Sequence, residues 1–131
     1  MQKEIVNPWT WQDQFGFVQA NVVTDGQRVV YCAGQTSVDS EGAPLHAGDM
    51  GAQLKQAVAN LETVLEQSGV TLSDVVRLNY YVTDVDAFIA AGETLGSVLA
   101  PAGCRPTSTL LGVSRLAFPD LLVEIEATAV A

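Results

Sequence analysis

Two glutamates lie two residues apart near the end of the chain, in the segment Leu121–Ala129, LLVEIEATA. If this segment is a β-strand, Glu124 and Glu126 share one face and lie about 7 Å apart. Partial burial and a second carboxylate nearby raise the pKa of a carboxyl group towards neutrality. Such a group can take a proton from water and later pass one to a nitrogen. The pair is a candidate for acid–base chemistry, although it also fits a solvated strand face.

Other reactive side chains are few. Ser108 has no histidine near it in the sequence, which argues against a serine nucleophile. Cys32 fits either a buried strand cysteine or a residue beside a cleft. It shares the chain only with Cys104, so no disulfide framework is implied. The single histidine, His46, lies in a polar loop, and no metal site is expected.

Four aromatic residues precede the first predicted strand: Trp9, Trp11, Phe15 and Phe17. Most aromatic side chains belong to a core, yet a loop rich in tryptophan can equally line a cleft. Both interpretations stay open.

Composition and charge limit the classes of function. A length of 131 residues with 48% apolar and 16% charged residues fits one globular domain, residues 1–131. The net charge of −9 repels phosphate backbones, and the six basic residues form no stripe, so no nucleic-acid partner is expected. There is no apolar signal core and no apolar run that would span a membrane. A cytoplasmic protein without a membrane partner is the expectation.

The first half of the chain predicts a β-hairpin followed by a helix. Gln19–Thr24 and Gln27–Ala33 are typical of short strands, and Asp25-Gly26 between them favours a tight turn. Gly34–Gly48 is rich in turn-forming residues and predicts a loop. Asp49 is a helix N-cap candidate, and an apolar pattern with helical spacing follows it as far as Gly69.

The second half predicts a strand, a helix and two further strands. Val76–Thr83 alternates so that Val76, Leu78, Tyr80 and Val82 share one face; Tyr80 should face the helices and Tyr81 the opposite side. A helix is expected over Ala87–Leu99, in which Gly92 and Gly96 allow close packing. The last strands are Thr107–Ser114 and Leu121–Ala129.

The predicted order is β-β-α-β-α-β-β, an α+β fold in which a mixed sheet carries two helices on one face. The uncovered face would hold both polar and apolar residues. Association with further copies is a common way to bury such a face.

Several short strings give the chain a resemblance to the RidA/YjgF/YER057c-like family. They are Cys32-Ala33-Gly34-Gln35, Ala57-Val58-Ala59-Asn60-Leu61, Val82-Thr83-Asp84 with Phe88, and Leu122-Val123-Glu124-Ile125-Glu126-Ala127. The resemblance implies a chorismate-mutase-like fold and a homotrimer with a central barrel. It also implies small-molecule clefts between subunits and hydrolysis of reactive enamines and imines to carbonyl products and ammonia, with no cofactor.

The resemblance also implies site residues. Glu124 corresponds to the proton-handling carboxylate, Gly34 to a backbone contact, and Phe17 to an aromatic position in the N-terminal loop. The family's substrate-binding arginine falls on Ser108, and Leu110 follows two residues later. Arg105 lies roughly 10 Å away along an extended chain, too far to replace that arginine. Cys32 and Tyr81 complete the substrate-binding candidates at the predicted cleft.

Three functions remain at this stage. The first is a RidA-like hydrolase acting on a small imine or enamine, which Glu124 and Gly34 favour. The second is a non-deaminating binding or interaction protein with the same trimer and cleft, which Ser108 favours because an anionic substrate would have no arginine partner. The third, an endoribonuclease, fits poorly with the acidic charge.

Overall fold

A mixed five-stranded sheet forms the centre of the molecule in the computed structural model, which describes residues 1–131. The strands are β1 (Gln2–Val6), β2 (Ala20–Thr24), β3 (Val29–Tyr31), β4 (Gln35–Thr36), β5 (Val75–Val82), β6 (Thr107–Gly112) and β7 (Val123–Val130). The main sheet has the order β3-β7-β5-β6, and β4 pairs with another part of β7. Only β5 and β6 are parallel within it. The predicted α+β fold class is confirmed.

Three α-helices accompany the sheet: α1 (Met50–Gln67), α2 (Val85–Ala90) and α3 (Gly92–Leu99). Short 3₁₀ turns cover Trp11–Phe15 and Leu72–Asp74. None of the helices is long and apolar enough to cross a membrane.

Helix α1 follows its sequence pattern closely. The Asp49 carboxylate caps it by accepting a hydrogen bond of 3.0 Å from the Ala52 N–H. Gly69, two residues past its end, has a φ of +81°, a conformation that favours glycine. The apolar face of α1 packs on the sheet, and its fully buried members are Leu54, Ala57, Val58, Leu61 and Leu65.

Strand β7 forms the floor of the core, as its alternation predicts. Val123, Ile125, Ala127 and Ala129 are buried, whereas the residues between them, including the two glutamates, are half-buried on the other face. Because β7 pairs with β3, β4 and β5, it fixes which side of the sheet each neighbouring residue takes.

The predicted hairpin between Gln19–Thr24 and Gln27–Ala33 is wrong. Strand β2 pairs with β1, a strand that the sequence pattern did not predict, while β3 pairs with β7. Arg28 and Ala131 each donate a backbone hydrogen bond to the carbonyl of the other, at 2.8 and 2.9 Å. The distant pairing is favoured because it brings Val30 against the core of the main sheet, where burial of apolar surface is stabilising.

Strand β5 departs from simple alternation at its start. The sequence predicts Val76 on the buried face, but the fully buried residue is Val75, because the pairing with β7 shifts register between Val75 and Arg77. The Val76 carbonyl accepts hydrogen bonds from Asn21 Nδ2 at 2.9 Å and Thr107 Oγ1 at 3.0 Å. The irregularity thereby ties β2 to the main sheet.

The second predicted helix is two helices rather than one. Asp84 caps α2 through the Ala87 N–H, and the helix ends at Ala90; α3 then begins at Gly92. A Cβ built at Gly92 or Gly96 meets nothing within 4 Å, so the expectation of close packing there is wrong. The apolar stripe does pack against the core, through Phe88, Ala91, Leu95 and Val98.

Candidate small-molecule site

Glu124 lies directly over Gly34. Strand β4 pairs antiparallel with β7, and the pairing of Thr36 with Glu124 brings the preceding residues across the glutamate side chain. A Cβ at Gly34 would lie 2.6 Å from Glu124 Cδ, closer than real Cβ contacts come. Glycine at position 34 is therefore what allows the carboxylate to occupy this place.

Both groups at this contact lack a protein partner. The Glu124 carboxylate accepts no hydrogen bond within the chain, and the Gly34 N–H donates none. Glu124 is half-buried. An acceptor and a donor without partners thus stand side by side, available to a water molecule or a small ligand.

The second glutamate is held in a network beside the first. Glu126 Oε1 accepts from the Tyr81 hydroxyl at 3.0 Å and from Asn79 Nδ2 at 3.1 Å. The hydrogen bond to Glu126 is the main cause that raises the pKa of Tyr81; desolvation and the negative charges of Glu126 and Glu124 add to it, and Arg77 opposes it. Tyr81 is therefore a neutral donor committed to Glu126, which leaves Glu124 as the free carboxylate.

A cavity of about 750 Å³ lies on the opposite side of the sheet, between the N-terminal 3₁₀ turn, helices α2 and α3, and strand β6. Most of its surface is apolar. Its lining residues are Asp13, Gln14, Phe15, Gly16, Phe17, Tyr80, Phe88, Ile89, Gly92, Glu93, Leu95, Gly96, Leu99, Ala100, Cys104, Pro106, Ser108 and Leu110.

The charges around this cavity are all negative. Asp13 and Glu93 are its only charged lining residues. Arg77 lies on the other face of the sheet, where its Nη2 donates to Thr109 Oγ1 at 3.1 Å, and Arg105 does not line the cavity. A carboxylate entering from solution would therefore meet no cation here.

The deep wall of the cavity is uncharged. Burial raises the pKa of the Cys104 thiol to about 12 and also raises the pKa of the Tyr80 hydroxyl. The Tyr80 ring packs against Phe88 with centroids 5.0 Å apart. Neither polar group ionises near neutral pH, so the wall behaves as an apolar surface.

The sequence-predicted site residues fall into two sets on opposite faces of the sheet. The parallel register of β5 and β6 pairs Leu110 with Tyr80, which faces the core, and β7 pairs Glu124 with Tyr81, which faces away from it. We call Glu124, Gly34 and Tyr81 the open-face set, and Phe17, Ser108 and Leu110 the cavity set.

Cys32 belongs to neither set. Its side chain is buried in the hydrophobic core with 7% of its surface exposed, and burial raises the pKa of its thiol. Cys32 and Cys104 are both free.

The N-terminal aromatic residues divide between cavity and surface. Phe15 and Phe17 line the cavity, and Trp11 packs edge-on against Phe17 with ring centroids 5.8 Å apart. Trp9 is 58% exposed.

Sequence reasoning missed two features of the cavity. They are its two acidic residues, Asp13 and Glu93, and a side of the α3 region that carries no bulky side chains. Gly92, Gly96 and Ala100 recur every four residues, and this spacing is a signal for a helix face without side-chain bulk. Asp13 and Glu93 are separated by most of the chain, and no local pattern connects them.

Solved structures share this architecture along the whole chain. YyfB of Yersinia pestis, described as a protein of unknown function of the conserved Rid protein family, has a TM-score of 0.85 and 36% identity, with 100% of both chains covered. The fold and its paired polar and apolar surfaces thus define a Rid-type α+β protein.

The family relationship is equally clear from sequence. The family described as endoribonuclease L-PSP matches residues 14–131. A RutC family protein of Pyrococcus abyssi is 32% identical over 100 residues, which cover 76% of each chain. The chain belongs to this RidA/YjgF/YER057c family, and the resemblance seen in the short strings is confirmed.

One relative has a named activity. The 2-iminobutanoate/2-iminopropanoate deaminase of Salmonella typhimurium is 29% identical over 103 residues, which cover 78% of this chain and 79% of the relative.

Proposed function

We propose that the protein is a hydrolase of small imines or enamines that releases ammonia and a carbonyl product at clefts between subunits. The observation that carries the proposal is the Glu124 carboxylate, without a hydrogen-bond partner, beside the unpaired N–H of Gly34. The named activity of the Salmonella relative supports the same reaction class.

The reaction assigns one role to each of these groups. Water attacks the carbon of the C=N bond while Glu124 takes a proton from the water. Glu124 returns that proton to the nitrogen, which gives a carbinolamine. The hydroxyl proton of the carbinolamine then passes through Glu124 to the nitrogen as the C–N bond breaks, so that the carbonyl forms and ammonia leaves. The Gly34 N–H is suited to hold the attacking water or the oxygen that becomes the carbonyl. Tyr81 takes no proton, because its hydroxyl is committed to Glu126.

The division of the site into two sets calls for more than one subunit. A molecule of the size of an imino acid does not contact both faces of one sheet, because the strands themselves lie between the side chains of the two faces. A neighbouring copy that presents its open-face set to the cavity set of the first would complete the site. We propose a homotrimer with three such clefts, which would also cover Tyr31, 81% exposed, and Leu111, 50% exposed.

A binding protein without this chemistry is the second candidate. Ser108 stands where the family resemblance places a substrate-binding arginine, and no Arg or Lys lines the cavity. An RNA-cleaving function, as the name of the endoribonuclease L-PSP family suggests, is disfavoured by the net charge of −9.

Ammonia release tests the proposal directly. Imines are generated in situ by oxidases from a panel of amino acids and amines, and ammonia formation is followed with and without the protein. We expect faster release for at least one imine. No acceleration across the panel would favour the binding protein. Light scattering tests the assembly: a trimer is expected, and a monomer at micromolar concentration would contradict the shared cleft.

A further inference from the structure

The cavity is larger and more apolar than a three- or four-carbon imino acid requires. Its volume of about 750 Å³ lies within the range of pockets that enclose drug-sized molecules. Gly92 and Gly96 enlarge it, since a Cβ at either position would meet nothing within 4 Å. Phe15 and Ile89, each more than half exposed, extend the apolar surface at the mouth. The space and its lining suit a ligand with a ring or a long alkyl group.

The charges select the sign of that ligand. Asp13 and Glu93 are the only charged groups at the cavity, and they disfavour a carboxylate while favouring a cation. Phe15 and Phe17 also line the cavity, and aromatic rings attract cations that carry apolar substituents. The Ser108 hydroxyl supplies a neutral hydrogen-bonding group.

We infer that the cavity takes an apolar imine that lacks a carboxylate and is bound as the protonated iminium, as formed from an arylalkylamine; this rests on the proposed hydrolase function. The step is R–CH=NH₂⁺ + H₂O → R–CHO + NH₄⁺. A C–O bond forms, the C–N bond breaks, and no oxidant is consumed. The reaction that supplies such a substrate is the two-electron oxidation of a primary amine.

Calorimetric titration of the full chain with three probes of similar shape tests the charge selection. The probes are phenethylamine, 3-phenylpropanoate and 3-phenylpropanamide, which are cationic, anionic and neutral. We expect the amine to bind at least about tenfold more tightly than the carboxylate. Equal or tighter binding of the carboxylate overturns the inference.

Two variants connect the binding to the cavity. Glu93→Gln should weaken the amine roughly 2- to 5-fold and leave the amide unchanged, because Glu93 is exposed at the rim. Asp86→Asn removes the same charge from α2 outside the cavity and should change neither affinity. An equal loss of amine affinity in both variants would overturn the inference.

Gly96→Leu should abolish binding of amine and amide alike by filling the cavity. Its melting temperature should not fall, since the side chain enters open space and leucine favours a helix more than glycine. Unchanged affinity in this variant overturns the assignment to the cavity. If it fails to fold, the comparison of Glu93→Gln with Asp86→Asn decides alone.

The inferred substrate class and the proposed hydrolase function can be contradicted by different results. Ammonia release from 2-iminopropanoate without any amine binding overturns the inferred class and leaves the hydrolase. Selective amine binding without hydrolysis of the imine of phenylacetaldehyde supports the charge selection by the cavity and contradicts the proposed hydrolase function.

Discussion

The two faces of the main sheet differ in the hydrogen bonding and the charge of their polar groups. On the open face, Glu126 accepts two hydrogen bonds. Glu124, two residues earlier on the same strand, accepts none. On the cavity side, the polar groups are few, the buried ones remain neutral, and the carboxylates stand at the rim. The contrast supports the proposal that the open face serves proton transfer and the cavity serves recognition. Four substitutions test that division, from the largest expected effect to the smallest.

Glu124→Gln should lower ammonia release on the order of 100-fold or more, because the amide keeps the shape but transfers no proton. The measurement is kcat/KM on whichever imine the wild type hydrolyses, with circular dichroism to verify the fold. Glu66→Gln, the same change on the exposed side of α1, is the control and should leave the rate intact. Unchanged turnover in Glu124→Gln would move the chemistry away from the open face.

Ser108→Arg should reverse the preference of the cavity. An arginine there can hold a substrate carboxylate, and the expected gain in kcat/KM on an amino-acid-derived imine is about 10- to 150-fold, from a charge-assisted pair of roughly 1.5–3 kcal/mol. Ser40→Arg adds the same charge on an exposed loop and should give no gain. If the wild type is already as fast as Ser108→Arg, another group holds the carboxylate.

Gly34→Ala tests the contact that positions Glu124. The added methyl would lie only 2.6 Å from Glu124 Cδ, so the carboxylate must move. A displacement near 1 Å can lower the rate by about 10- to 100-fold. The melting temperature should change little, because the end of a flexible side chain can move. Gly51→Ala, where a Cβ makes only ordinary contacts, is the matched control. Full activity in Gly34→Ala would separate Glu124 placement from catalysis.

Tyr81→Phe should have the smallest effect, about 0.5 kcal/mol in the free energy of unfolding, since a half-exposed hydrogen bond is lost. The raised pKa of Tyr81 means that its stabilisation is complete below pH 10 and declines as the pH rises through the folded-state value. The variant should therefore lose less stability than the wild type above pH 10 in denaturant titrations. A loss of stability above pH 10 in Tyr81→Phe as large as that of the wild type would contradict this role of the Tyr81 hydroxyl.

Local patterns correctly predicted which side of a single strand or helix is buried against the core. The alternation in β7 and the helical spacing of α1 each state which side faces the core, and the structure follows both. The same reasoning placed Tyr80 and Tyr81 on opposite faces correctly. The pairing of β3 with β7 escaped it, because a strand's partner depends on distant residues and the nearby Asp25-Gly26 turn favoured a local hairpin.

Strand alternation alone indicates Glu124 and Glu126 as a candidate pair, but the other residues of the site were predictable only through the family resemblance. Glu124 and Gly34 are far apart in the chain, and only the β4–β7 pairing brings them into contact. The resemblance also selected Ser108 and Leu110, but it does not reveal that they face a different side of the sheet from Glu124. That information lies in the register of β6 against β5, which no local pattern encodes.

Strand β7 follows, in chain order, every strand with which it pairs. During synthesis, β3, β4 and β5 therefore emerge before their shared partner exists. Until then, the apolar face of α1 has no complete sheet on which to pack. Contacts across such long sequence separations form slowly because loop closure precedes them, and unpaired strand edges promote aggregation meanwhile. The central sheet and the core on it can therefore form together only once Val123–Val130 is available for pairing.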